Sequence, residues 1–482
     1  MGRTITPELD AEVAERLYGY ALEFRPLFPR SDQFKQGRVY LHGLLLDGER
    51  KSIEPLSRRV PGGNEQNLQQ FINQSPWSPA PILAAYRARM AAAFASDDGV
   101  IVIDDTGFPK QGKHSVGVAR QYSGTLGKRA NCQVATSVHY ASAQGDYPLA
   151  LRLYLPEAWT SAPERLDAAR VPEGERPFST KWQIALDLLD GVRAEGLPHA
   201  VVVADAGYGA VGEFRDALDE RAEPYIVGLL GEEVVLTEPP RWVPHVSTGK
   251  RGRPATRAYL AEDGPRPVAI HAVAESLERT TICWREGTKG KLEGDFAWLR
   301  VWPAHRWQLG VPADAIPDAE SAARWLLVEW RKGGAVKYAL SNLPAATTLE
   351  RAVGWWKERW QVERGYEQLK GELGLDHFEG RSWPGFHHHA ATTFLAYGFL
   401  ALERQRAQAT AAPPDPEHSP PGEAGRGARP CPACAAPSSG SSSRPAASLA
   451  PPAPSTPAAA TPKGAVLPAG AAIRPFTEHA AS

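Results

Sequence analysis

Cysteine is scarce in this chain: four in 482 residues, at Cys132, Cys283, Cys431 and Cys434. That is too few for a disulfide framework and points to a reducing compartment. The Cys431-x2-Cys434 pair has no second Cys or His pair at zinc-ligand spacing, so a zinc site is not expected there. Uncharged apolar runs long enough to span a bilayer are absent. The first residues, MGRTITPELDAEV, lack the apolar segment of a signal peptide. The expected location is the cytoplasm, away from the membrane. Excess charge is missing too, because 54 Lys and Arg stand against 55 Asp and Glu. No global field draws the chain onto a polyanion, so any such binding must come from local patches. Aromatic residues vanish after position 407 except for Phe476, while 16 of the 43 prolines fall there. Such a segment cannot bury a core, and 406–482 is expected to be a disordered Pro/Ala/Ser-rich tail.

The remaining length allows two or three domains with ample core. Residues 1–95 carry apolar residues at helical spacing, notably over 9–27 and 38–59, and read as a helical N-terminal domain. Gly62-Gly63-Asn64 breaks that pattern and can cap a short helix over 65–73, in the amide-rich run EQNLQQFINQ (65–74). Its amides suit either a polar exposed face or contacts to bases and phosphates.

From Gly99 the pattern turns to strands. VIVIDD (100–105) is an apolar run closed by two acids, CQVATSVHYAS (132–142) alternates, and LALRLYLP (149–156) follows. A helical stretch over 181–194 precedes VVVADAGYG (201–209), a second apolar strand ending in an acid. This order defines a mixed α/β region over 96–224. Residues 225–345 hold short strand-like runs between turns and read as a β-rich insertion, with helical periodicity again over 346–405. No internal repeat of fixed period is present.

Two strands thus end in acids, Asp104-Asp105 and Asp205, each followed by small residues that permit close approach of a ligand. Taken singly, an acid after a strand is an ordinary turn former or helix cap. A helix over 356–370, WKERWQVERGYEQLK, supplies a third candidate. At about 100° per residue, Trp356, Arg359, Glu363 and Lys370 share a stripe roughly 60° wide. An aromatic, two cations and a carboxylate on one stripe suit phosphate with a divalent ion. Glu367 lies near the same face, about 20° from Trp356, so spacing alone leaves Glu363 and Glu367 both open. If the strands are neighbours, Asp104 or Asp105, Asp205 and the helix glutamate can converge. Clustered carboxylates repel unless cations neutralise them. Hard oxygen ligands suit Mg2+ or Mn2+, and two such ions support in-line displacement at phosphorus.

These residues resemble a family. Trp356-x2-Arg359-x3-Glu363-x6-Lys370 is similar to the Tyr-x2-Arg-x3-Glu-x6-Lys motif around the third acid in one branch of bacterial insertion-sequence DDE transposases, with tryptophan in place of tyrosine. DDTGFPKQGKHSVGVARQYSGTLGKRANCQVA and LDHFEGRSWPGFHHH resemble a subgroup of the same family. The resemblance spans about residues 20–405. It implies an RNase H-like mixed sheet with helices, a β-rich insertion between the second and third acids, and an N-terminal helical DNA-binding domain. It further implies Asp104, favoured over Asp105 by the Thr106 two positions on, with Asp205 and Glu363 as catalytic metal ligands. The implied cofactor is Mg2+ (or Mn2+), as two ions. Arg359 would grip phosphate, Lys370 would act as a point charge, and Trp356 would stack on a base or sugar. The implied partners are double-stranded DNA, as terminal inverted repeats and target, and a second copy of the chain in a homodimeric DNA complex. The reaction would be hydrolytic nicking followed by 3′-hydroxyl strand transfer. An RNase H-like endonuclease without strand transfer, or a non-catalytic DNA-binding derivative, are the alternatives.

Other candidates lie outside the acids. Lys110, Lys113, His114, Arg120, Lys128 and Arg129 form a basic, glycine-rich stretch that suits a DNA channel or a plain basic hairpin. Lys250-Arg251-Gly252-Arg253-Pro254 resembles a minor-groove hook, with non-specific phosphate contact through Arg251 and Arg253 as the simpler use. His387-His388-His389 cannot share one ion, since adjacent helical residues point about 100° apart. Packing and DNA contact are expected instead.

Overall fold

The computed structural model describes residues 8–244, 256–287, 290–305 and 307–410. The expected minor-groove hook, Cys431-Cys434 and the expected tail beyond 410 lie outside the described residues.

Five helices lead the chain: Ala11–Glu23, Ser31–Leu45, Ile53–Arg59, Glu65–Asn73 and Pro79–Phe94. Their starts are chemically specified. Asp10 accepts hydrogen bonds from the Glu12 and Val13 amides, and Asn64 accepts from the Asn67 amide at 2.9 Å. In Glu65–Asn73, Leu68, Phe71 and Ile72 face inward, while Gln66, Asn67, Gln69 and Gln70 are exposed. The apolar faces of these helices pack on the last helix, Trp383–Thr410. Tyr20 donates to the Leu395 carbonyl at 3.1 Å, and Arg16 forks onto Glu403. The N-terminal helices and the last helix therefore share one hydrophobic core with the sheet that follows.

That sheet begins with β1 (Val100–Pro109), β2 (Ala119–Ser123), β3 (Lys128–Ser142), β4 (Gly145–Leu153), β5 (Val201–Ala204) and β6 (Tyr225–Leu229). β3 pairs antiparallel with both β1 and β4, whereas β1–β5 and β5–β6 are parallel. The order β4–β3–β1–β5–β6, with three antiparallel strands followed by two parallel ones, is the RNase H-like arrangement. The helix Lys181–Ala194 joins β4 to β5 and packs against β3 and β4.

The expected insertion is rich in strands, but it continues this same sheet. Its strands are β7 (Val234–Leu236), β8 (Trp242–Pro244), β9 (Arg257–Leu260), β10 (Val268–Ala269), β11 (Thr280–Gly287), β12 (Gly290–Pro303), β13 (Val311–Pro312), β14 (Arg324–Trp330) and β15 (Val336–Ser341). β15 pairs with β6 and carries β14, β12, β7 and β10 outward in turn, while β8, β9 and β13 form a small separate sheet. One boundary moves as a result. Tyr225–Leu229, placed at the start of the insertion by its sequence, is the fifth core strand. All five of its residues are buried, as a parallel strand with neighbours on both edges requires.

Candidate active site

β1 and β5 run side by side in parallel, with Ile103 opposite Ala204. Val100–Ile103 and Val201–Ala204 are wholly buried. An aspartate follows each of these runs, so Asp104 of β1 and Asp205, directly after β5, stand at adjacent positions where the two apolar runs stop. Asp205 also performs the ordinary task of its position. It caps the turn Ala206–Gly209 and accepts the Gly207 amide at 2.8 Å. The turn closes directly on β6. A Cβ at Gly228 would stand 2.6 Å from the Ala206 nitrogen, and one at Gly209 would stand 2.1 Å from the Gly228 oxygen. Glycine at both positions lets Asp205 approach the sheet.

Asp104 and Asp105 point to opposite faces of β1. Asp105 is engaged structurally. It accepts from the Lys181 ammonium and the Tyr208 hydroxyl, with the Thr136 hydroxyl at 3.4 Å. Asp104 accepts a 2.8 Å bond from the Asp105 amide. Burial pushes the Asp104 carboxyl up to about 7; Asp205 adds to the rise, and the positive charge of Arg359 opposes it. Tyr208 and Lys181 were not anticipated. Lys181 carries no sequence signal, while Tyr208 sits inside the DAGYG run that ends β5.

The helical segment carrying the third acid is not one continuous helix. It divides into Leu349–Lys357, Arg359–Glu367 and a π-helical turn, Gln368–Glu372. The expected four-residue stripe is broken accordingly. Trp356 belongs to the first piece and is 5 % exposed. Its indole N–H donates to Glu329 at 2.9 Å, so it packs inside and offers no face to a base or sugar. Arg359 opens the second piece, with its guanidinium 5.4 Å from the Trp356 ring centre. Lys370, on the π turn, donates to the Gly107 carbonyl at 2.9 Å and lies over the Phe108 ring. Burial lowers its pKa, while Asp376 and Asp104 act in the other direction. Arg359 and Lys370 thus both reach the surroundings of Asp104.

Glu363 sits apart from the two aspartates. It is exposed and does not join them in a group of three ligating side chains. Glu367 is exposed as well. Between them Tyr366 turns inward, hydrogen-bonds Ser137 and sets its ring edge-on to His139 at 4.9 Å. Ser137 in turn donates to the Asp104 carbonyl at 3.1 Å. Tyr366 was also missed by sequence reasoning. Its signal is the apolar spacing Val362, Tyr366, Leu369.

The remaining candidates divide clearly. Lys110 donates to the Phe378 carbonyl and ties the loop after β1 to the chain ahead of the last helix. Lys113 is exposed. Arg251 and Arg253 fall outside the described residues. The three histidines take separate partners: His387 the Trp383 carbonyl, His388 the Ile72 and Trp77 carbonyls, and His389 the Tyr40 hydroxyl and the Gly374 carbonyl. They are packing residues.

Asp104 and Asp205 fit a hard divalent cation in donor chemistry. Two carboxylates meet at a strand edge, and one of them is held far from its ordinary pKa by burial and like charge. Among the described residues no group of three or more His, Cys, Asp and Glu side chains is arranged to hold an ion. Two of the expected ligands are side by side, and the third does not join them here.

The profile for "DDE superfamily endonuclease" matches residues 23–291, which include Asp104 and Asp205 and stop short of Glu363. More than half the chain is covered, and the chain belongs to this family. Enzymes of the family use divalent metal ions. The chain is a DDE-type transposase. It is 26 % identical over 382 residues to the "Probable transposase for insertion sequence element IS701" of Microchaete diplosiphon, covering 79 % of this chain and 86 % of that protein. A cryo-EM structure of the piggyBac transposase synaptic complex with hairpin DNA overlays at TM-score 0.29 and 9 % identity, over 86 % of this chain and 77 % of that one. At that score the fold assignment rests on the strand order alone.

Among the described residues no helix is long and apolar enough to cross a membrane.

Proposed function

We propose that this transposase cuts and joins the ends of an insertion sequence, with Asp104 and Asp205 as the first two metal ligands. The parallel register that sets Asp104 of β1 beside Asp205, the residue after β5, carries this reading. Asp104 is preferred to Asp105 because Asp105 is committed to Lys181 and Tyr208. Mg2+ or Mn2+, as two ions, would supply Lewis acidity toward the attacking and leaving oxygens. Arg359 would take a phosphate bidentately and Lys370 would act as a point charge beside it. Glu363 is the third ligand in this reading. Its exposed place on the helix Arg359–Glu367 leaves it able to turn toward the aspartates when DNA and metal arrive. The partners are double-stranded DNA, as inverted repeats and target, and a second copy of the chain, since two ends must be held together. A cytoplasmic setting suits the sparse cysteines.

The test is strand transfer of an end-bearing duplex with Mg2+. Activity should disappear in Asp104→Asn, Asp205→Asn and Glu363→Ala. Loss in Glu367→Ala with retention in Glu363→Ala would reassign the third acid. Nicking without joining by the parent chain would favour the plain endonuclease.

A further inference from the structure

Residues 106–145 contain no Asp or Glu, in a chain whose net charge is −1. The segment nevertheless holds Lys110, Lys113, Arg120, Lys128 and Arg129. Its outer part is the β2–β3 hairpin, which continues β3 beyond Cys132, the partner of the last β1 residue, and is tied to the loop after β1 by Asn131 and Lys110. Register fixes what each face of this arm displays. Tyr122 lies opposite Arg129 and Arg120 opposite Asn131. Arg120, Tyr122 and Arg129 therefore share one face. Tyr122 is 64 % exposed, and both arginines are exposed. Lys128 lies opposite Ser123, on the other face.

The same strand leads to the acids. Asp104 pairs with Ser137 on β3, and the β1–β3 register runs without a shift from Val100 to Pro109. Ser137 and Arg129 differ by an even number of residues, so the Arg-Tyr-Arg face continues the face that carries Asp104.

We propose that the β2–β3 hairpin is a DNA-gripping arm, with Arg120 and Arg129 on backbone phosphates flanking the cut and Tyr122 packed between them on the sugar–phosphate surface. The arm deepens the transposase reading and rests on it. Duplex DNA is the fitting partner, because the face offers two exposed guanidinium groups and a planar ring and has no acid in its own segment. Contacts of this kind are sequence-independent, so the arm would hold any flank.

The test uses the full chain and a long duplex of arbitrary sequence, with affinity measured from about 50 to 200 mM salt. Each lost phosphate contact lowers the slope of log K against log salt by about 0.9. Arg120→Ala/Arg129→Ala should reduce it by about 1.8, so the mutant's affinity deficit shrinks roughly tenfold across that salt range. Arg120→Lys/Arg129→Lys should restore the slope, and Lys128→Ala, on the other face, should keep it. Tyr122→Ala should weaken binding at every salt concentration with the slope unchanged. An unaltered slope in the double alanine variant, with parent binding intact, overturns the arm and leaves the transposase reading standing. So does an equal loss in Lys128→Ala, which would mean diffuse charge only. A parent chain that neither binds nor nicks DNA overturns both.

Discussion

The Tyr208 hydroxyl donates to the Asp105 carboxylate, and this bond fastens the strand that carries Asp104 to the turn that begins at Asp205. The neighbour of one candidate ligand is thereby tied to a residue three positions beyond the other. Lys181, from the crossover helix, holds the same carboxylate from a third element. The distance between two repelling acids is fixed by a network on the opposite face of the sheet. That is the expected role of supporting groups around a metal site.

Tyr208→Phe should therefore loosen the pair without touching it. The half-buried Asp105 loses one donor and keeps Lys181, which costs about 1 kcal/mol in urea unfolding. Divalent-ion affinity, measured by titration calorimetry on the DNA-free protein, should fall as well. A destabilised variant with unchanged ion affinity would make Tyr208 a packing residue only.

Addition of Mg2+ or Mn2+ should raise the melting temperature of the parent chain, since an ion bound only by the folded state stabilises it by about 2.7 kcal/mol at a hundred times its dissociation constant. Asp104→Asn and Asp205→Asn should each abolish that increment. Glu363→Ala should retain much of it in the absence of DNA, because Glu363 does not stand with the aspartates.

Trp356→Phe should destabilise the fold by about 1–3 kcal/mol, since it removes the indole donor to the buried Glu329 carboxylate. Lys357 and Arg331 still neutralise that carboxylate. DNA affinity at matched folded fraction should be unchanged. A selective loss of DNA binding would return Trp356 to the DNA-facing role that its motif suggests.

Stability should fall as pH drops below about 6.5. Burial holds His139 down to about 3, and the buried His387 and His389 down to about 4. Each is neutral in the fold and takes up its proton more readily when unfolded. The stability it contributes is therefore full above 6.5 and is lost as pH falls toward the folded value. His139→Phe should flatten the dependence between pH 6 and 4 by up to about 1.4 kcal/mol per pH unit, read from urea unfolding across that range.

The sequence alone determined the parts whose chemistry is local. Apolar runs closed by acids gave the two strands of the site, because an uninterrupted apolar run marks a strand buried on both faces. Asn64 after Gly62-Gly63 gave a helix start, because a side-chain oxygen there satisfies an orphan amide. Pairing and facing were decided by the tertiary structure. Only strand order placed Tyr225–Leu229 in the core sheet, since a short apolar run reads the same in an insertion as in a central parallel strand. Register separated Asp104 from Asp105, because adjacent residues on a strand point apart and only one found Lys181 and Tyr208 waiting. A helical wheel assumed that 356–370 was a single rod. The break after Lys357 and the π turn at Gln368–Glu372 sent Trp356 inward and Lys370 to Gly107, and left Glu363 exposed. Spacing along a chain fixes which groups are available, while the packing of distant elements fixes which of them meet.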